Sequence, residues 1–367
     1  MLELIPIQYY AFIFYNFILV IIIATLMHTK SYTGFTSETF IFNKIFGFLL
    51  FWIVVIYMGF RPISWYFGDM GNYAKQFDYF SNGWNIEITK DFLFYSIMNF
   101  FVVLESKTLF FFTIAFLYLG SIYIASKRFF GNYHYFAFLI IISSFEFWSY
   151  GTNGIRNGLA TSIIILAFTF MDKKWMMYLL FILAFSMHSS VLIPIMAYFI
   201  TYYYNSTKFY YKLWLVSIVI SLLVGSTIQN YIANTGLLRE DIVMGYLNNA
   251  NAIDYGYTKT GFRWDFLLYS FLPIIVSYYF RFIRGFTDVI YARLTNIYLV
   301  CNSVWIIVIE ATFSNRFAYL SWFMMGLIII YPLLKNVFFN NQFRIIGFVI
   351  LGYFFFTYLM NFILPNI

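Results

Sequence analysis

Charge is what this chain has least of. Of its 367 residues only 10% are Asp, Glu, Lys or Arg, against about 25% in a soluble domain, so no water-facing surface of that size can be assembled from it. Cysteine is nearly absent as well. Cys301 stands alone, which excludes an intramolecular disulfide, and the three histidines form no Cys/His set at zinc-ligand spacing. Alternating polar and apolar strands are missing, which disfavours an outer-membrane barrel. No nucleophile elbow, Walker loop, HExxH or Rossmann glycine pattern stands in a fitting context, so ATP-driven transport has no support and neither a metal nor a cofactor is expected.

What is present is apolar. Hydrophobic residues make up 62% of the chain and aromatics 25%, and the mean hydropathy is +0.78. They come in long blocks, and many approach the roughly 20 residues that cross about 30 Å of hydrocarbon as helix. The sequence therefore predicts an all-α, polytopic integral membrane protein. Spans are expected near 7–28, 42–60, 108–126, 133–149, 155–171, 174–187, 188–203, 211–232, 264–282, 293–311, 316–335 and 344–364, about twelve in all. The first is too long for a signal-peptide core, and Met1 to Pro6 carry no positive charge or cleavage pattern. A further apolar piece, 92–104, is too short to cross and reads as a re-entrant or interfacial helix.

If 92–104 does not cross, one side collects Lys30, Lys44, Lys127, Arg128, Lys173, Lys174, Lys208, Lys212, Arg281, Arg284, Arg293, Lys335 and Arg344. The positive-inside rule makes that side cytoplasmic and leaves both termini outside. The formal net charge of +7 is thus scattered through short loops, as membrane anchoring requires, and does not point to nucleic acid. No linker or repeat divides the chain, so residues 1–367 read as a single transmembrane domain with long outer loops near 61–91 and 233–263. An extracytoplasmic function should sit under those loops.

Arg61, Arg156, Arg263 and Arg316 fall at the outer ends of spans, where orientation disfavours basic residues. An anionic ligand there would explain them, since a guanidinium grips phosphate oxygens with two parallel donors. Snorkelling to head groups, or pairing with a nearby acid, would also explain each one singly. The first outer loop holds Gly68-Asp69-Met70-Gly71-Asn72-Tyr73. Glycines around Asp69 permit tight turns that present a carboxylate to a sugar hydroxyl, and Trp65 and Tyr73 offer flat faces for carbohydrate. Asp69 is one candidate general base. Asp78, Glu87 and Asp91 read as plain loop charges. His188, between two short apolar runs, marks a helix broken near its outer end and is the second candidate base, although a membrane histidine also serves as an interhelical hydrogen-bonding residue. His28 and His134 receive no role.

In order, Arg61, Gly68-Asp69, Tyr73, Asn153-Gly154-Ile155-Arg156-Asn157-Gly158-Leu159-Ala160, His188-Ser189-Ser190 and Asn315-Arg316-Phe317 resemble the EpsG family of bacterial polysaccharide proteins, related to the Wzy-type O-antigen polymerases. The resemblance implies a GT-C-like membrane glycosyltransferase without a nucleotide-sugar domain. It would lengthen O-antigen, capsule or exopolysaccharide at the outer face of the plasma membrane by transferring a glycan from undecaprenyl diphosphate to another undecaprenyl-linked repeat unit. Its partners would be undecaprenyl diphosphate-linked oligosaccharides, membrane lipid and a chain-length regulator. Carried over, Arg156 and Arg316 match the motif arginines, Arg61 and Asp69 the first-loop pair, and His188 the family's histidine. Where a common family form has an acid followed by proline, this chain has Asp91 followed by Phe92. A lipid-linked oligosaccharide flippase, an O-antigen ligase and a membrane acyltransferase are the rival readings. A flippase would place charges deep along a central cavity, whereas these gather near one face.

Overall fold

The computed structural model describes residues 5–29, 37–84, 88, 90–234, 261–311 and 314–363. Lys30, Glu87 and most of the 233–263 loop lie outside them. Every regular element among the described residues is helical. The helices are apolar on most faces rather than along one stripe. Val20, Val103, Leu223 and Leu268 are 62%, 81%, 77% and 74% exposed, which is tolerable only where hydrocarbon is the solvent. Among the described residues eight helical stretches are long and apolar enough to cross a membrane. The protein is a polytopic membrane protein by length and composition.

The chain divides into two compact units, Met1–Leu192 with Ile330–Ile367, and Ile193–Ile329. The first unit contains α1 (Tyr10–Thr29), α2 (Ser37–Gly59), α3 (Met70–Ser81), α4 (Phe92–Val103), α5 (Lys107–Phe130), α6 (His134–Ile142), α7 (Phe145–Thr152), α8 (Ile155–Phe168) and α9 (Lys174–Met187). α10 (Leu192–Tyr203), α11 (Thr207–Asn234), α12 (Trp264–Tyr278), α13 (Val289–Ile307), α14 (Asn315–Trp322), α15 (Met325–Lys335) and α16 (Gln342–Tyr358) complete the chain.

Hydropathy reads 133–149 as one span, but the structure breaks it. At Gly131, with φ of 53°, the chain turns back on α5, so the Tyr123 and Phe138 rings lie 5.5 Å apart, where an unbroken helix would separate them by about 22 Å. The break inside 133–149 falls at Ser143 and Ser144, between α6 and α7. No proline or glycine marks it. The Ser143 carbonyl accepts instead from Thr357 of α16, at 2.9 Å, which satisfies a backbone group that lipid could not. Together α6 and α7 still cover the length of α2. Asn43 donates to the Asn132 carbonyl at 3.0 Å, and Arg61 to the Thr152 carbonyl at 3.3 Å, two contacts separated by about 27 Å of helix rise.

Three further expected spans are short. Ile155–Phe168 and Lys174–Met187 have 14 residues each, and Ser189–Tyr203 also falls below eighteen. α8 starts beside the loop after α2 and ends where Arg128 of α5 donates to Thr169 Oγ1, at 2.8 Å, and α9 returns against it. α4 begins and ends at one end of the unit. Asp91, at its start, bonds Arg156 at the head of α8. Lys107, just past its end, pairs with Asp78 of α3, and Phe94 and Phe101 flank Phe110 at 5.5 and 6.4 Å. That end carries Arg61, Asp69, Asp91, Arg156 and His188. Lys44, Lys127, Arg128, Lys173 and Lys174 sit at the opposite one.

In the second unit a chain of buried polar groups ties the helices. Trp214 donates to Asn302 at 2.7 Å, Asn302 to Ser321 at 3.0 Å, and Trp322 to Ser270 at 2.6 Å. The indoles of Trp214 and Trp322 and the amide of Asn302 thus find partners inside, as an apolar solvent favours.

Candidate functional site

The site is assembled from three backbone irregularities of the first unit. The first is the turn into α3. Gly68 has φ of 63°, and a Cβ there would stand 2.4 Å from Asn153 Oδ1, the atom that accepts the Asp69 N–H at 2.8 Å. Only glycine fits both the dihedral and the contact. Gly71 similarly leaves room for the Trp65 ring, whose atoms would lie 2.1 Å from an added Cβ. Gly68→Ala is therefore expected to destabilise the fold by about 1–3 kcal/mol. Thermal melting of the detergent-purified variant checks this, and an unchanged midpoint would show that the turn relaxes without loss.

The second irregularity is the joint between α7 and α8. A Cβ on Gly158 would be 2.4 Å from the Tyr150 carbonyl oxygen, so this glycine lets the two helices close onto each other. Arg156 then stands in the first turn of α8. The third is the break after α9, where His188 is extended, with φ of −162°. Its N–H still bonds the Ala184 carbonyl, and Ser190 donates to Asn157 Oδ1 at 3.0 Å.

These breaks converge on Asp91. It has φ of 58°, a left-handed conformation that a non-glycine residue adopts only when its surroundings hold it there. Its side chain is wholly buried. Arg156 Nη1 donates to Oδ2 at 2.7 Å, and His188 Nδ1 stands 3.3 Å from both carboxylate oxygens. Burial pushes the Asp91 pKa up, but the hydrogen bond and charge of His188 and the charge of Arg156 outweigh it, and the net shift is downward. The carboxylate is ionised at neutral pH. If Nδ1 is the protonated nitrogen that faces it, Nε2 of His188 is left as the acceptor. The His188 side chain is 25% exposed, and Nε2 has no protein hydrogen-bond partner among the described residues.

Arg156 is held on two edges. Besides Asp91, its Nε donates to the Tyr73 hydroxyl at 3.2 Å, and its Cζ lies 5.1 Å from the Tyr73 ring centre and 5.7 Å from that of Phe94. Burial raises the Tyr73 pKa to about 12, with Arg156 pulling the other way. The hydroxyl is therefore a fixed dipole, not a base. With 3% exposure the Tyr73 ring has no open face for a sugar; it is a support for Arg156. Trp65, 62% exposed, does present one, beside Ser64, Lys75 and Asp78.

The other expected residues sort differently. Asp69 is half-buried, accepts from Asn72 at 3.2 Å and precedes Tyr73 by one helical turn. Arg61 is 3% exposed and donates to the Met58 and Thr152 carbonyls at 2.5 and 3.3 Å. It thus caps the ends of α2 and α7, where backbone carbonyls lack helical partners. Arg263 and Arg316 belong to the second unit. Arg263 is gripped by Asp265 through Nε at 2.9 Å and Nη2 at 2.5 Å and stacks over Phe266 at 3.7 Å. Arg316 is exposed in the first turn of α14. Asp91 read as a plain loop charge in the sequence, and Asn153, Asn157 and Ser190 stood there only inside motifs, without a role of their own. The available signal was a lone acid heading a 12-residue apolar helix.

Residues 44–366 match the model of the EpsG family. No curated protein and no solved structure matches the chain.

Proposed function

The chain belongs to the EpsG family, a Wzy-like polymerase family, and from that membership we propose that it joins undecaprenyl diphosphate-linked oligosaccharide repeat units into O-antigen, capsule or exopolysaccharide. One observation carries the chemistry. One buried carboxylate, Asp91, joins a guanidinium to an imidazole whose Nε2 has no protein partner among the described residues. Arg156 grips the diphosphate of the donor, and Arg316 of the second unit, the other motif arginine, is a diphosphate ligand on the resemblance alone. Arg61 and Arg263 act as supports of their helix ends, given the carbonyls and the carboxylate they already hold. His188 is the base, with Asp69 the second candidate.

In the reaction the acceptor hydroxyl oxygen forms a bond to the anomeric carbon of the donor sugar. The bond from that carbon to the diphosphate oxygen breaks, and its electron pair leaves on the diphosphate. The hydroxyl proton goes to His188 Nε2, and the developing negative charge is met by guanidinium donors already in place. Trp65 offers a stacking face to a sugar of the repeat unit. The gathering of Lys44, Lys127, Arg128, Lys173 and Lys174 at the opposite end of the first unit supports an outward-facing site in a bacterial plasma membrane, within a GT-C-like domain of about twelve crossings.

The test is chain extension by the purified protein. Given undecaprenyl diphosphate-linked repeat units in liposomes, it is expected to make a ladder of longer lipid-linked glycans without nucleotide sugar or ATP, and with chelator present. The diphosphate bond already stores the energy needed. Movement of repeat units across the bilayer without lengthening would make the protein a flippase. Product only after lipid A is added would make it a ligase.

A further inference from the structure

Arg156 cannot serve two anions equally. One of its edges is committed to Asp91 at 2.7 Å and its Nε to Tyr73, and Nη2 has no protein partner among the described residues. As it stands, Asp91 and Arg156 balance each other's charge. A diphosphate approaching through the open edge competes with Asp91 for the same guanidinium. Asp91 cannot follow Arg156 outward, because its side chain is wholly buried, its backbone is fixed in a left-handed conformation, and the Ser189 N–H also bonds it. The other side chain bonded to it that can become cationic is His188.

We infer that Asp91 is a shared counter-ion that couples donor binding to base strength. When the diphosphate draws Arg156 away, the buried carboxylate is left facing His188 alone. A buried anion without a partner is unfavourable, and protonation of His188 supplies that partner. The imidazole therefore becomes a stronger base once the donor is seated, and it takes the acceptor proton at Nε2 while Nδ1–H remains on Asp91. Asp91 touches no substrate in this scheme; it is a positioning residue. The inference rests on the polymerase reading, and it adds an order to the reaction: donor first, base second.

The distinguishing experiment reads binding and rate separately in Asp91→Asn, which keeps the side-chain shape and removes the charge. Relieved of its competitor, Arg156 should bind undecaprenyl diphosphate about tenfold more tightly, since a hydrogen bond to a charged group contributes on this scale. The maximal rate of chain extension should fall about 100-fold, because His188 has lost its counter-ion. Opposite movement of affinity and rate is a result that structural damage does not give. In a His188→Ala background, Asp91→Asn should tighten binding again and slow extension no further. Weaker or unaltered diphosphate binding in Asp91→Asn, or an undiminished rate, overturns the coupling while leaving the polymerase reading intact. A wild-type protein that neither binds the diphosphate lipid nor extends it overturns both. Should Asp91→Asn fail to accumulate, Tyr73→Phe tests the binding half, because it also loosens the resting hold on Arg156. Tighter binding supports the coupling, and unaltered or weaker binding overturns it.

Discussion

Replacing His188 with alanine is expected to slow chain extension by about 10²- to 10⁴-fold, the usual loss when a positioned general base is removed. The protein should still insert and still hold the diphosphate lipid. Binding should weaken but survive, because Arg156 keeps its open edge while the buried Asp91 carboxylate, bonded to it at 2.7 Å, has lost the imidazole that would pair with it once the diphosphate draws Arg156 away. Stability should change little, since the side chain is 25% exposed and the break after α9 is fixed by the backbone bond to Ala184. The check is the initial rate of ladder formation beside the affinity for undecaprenyl diphosphate. Extension that survives in His188→Ala and disappears in Asp69→Asn would move the base to the first loop. There, the half-exposed Asp69 carboxylate accepts from Asn72 at 3.2 Å. Normal extension in both would mean that neither residue is the base.

The membrane class was legible from composition, because a chain with 10% charge has no choice of solvent. The short helix at 92–104 was legible from its length. The broken crossing through Ser143 and Ser144 was not. Hydropathy averages over a window and registers no break unless proline, glycine or charge marks it, whereas here the carbonyl at the break is satisfied by a hydrogen bond from Thr357, 214 residues away in sequence. The same limit hid Asp91. Read along the chain it is one loop acid among several, with a phenylalanine after it where the family form has proline. Its burial depends on α8 and α9 arriving from 65 and 97 residues away. Tyr73 failed in the opposite direction. A tyrosine in an outer loop looks like a sugar platform until α3 is seen to turn it inward onto Arg156. The arginines read alike in the sequence and differ in the structure. Sequence position reports the end of a span, but only the partner atoms separate Arg61, which caps two helices, and Arg263, which is bound to Asp265, from Arg156, which keeps an open edge.

Arg156→Lys should lower chain extension by about 10²- to 10³-fold, the range found when one preorganised donor to a developing anion is lost. The protein should fold and insert as the wild type does. Lysine keeps one positive charge beside Asp91, so the variant avoids leaving a buried carboxylate unpaired, which would cost about 3–5 kcal/mol. What lysine lacks is the planar fork. Arg156 holds Tyr73 through Nε and Asp91 through Nη1 and still presents Nη2, three directions fixed by one rigid group. An ammonium has three rotatable donors on a flexible stem and cannot keep the two supports while aiming a third bond at a phosphate oxygen. A residue that served only as a head-group anchor would tolerate the exchange. The measurement is therefore a comparison of chain-length distributions and initial rates for wild type, Arg156→Lys and Arg316→Lys at matched amounts of folded protein. Wild-type chain lengths in Arg156→Lys would remove the diphosphate role from Arg156. A loss in Arg156→Lys with none in Arg316→Lys would confine the clamp to the first unit and return Arg316 to the membrane surface.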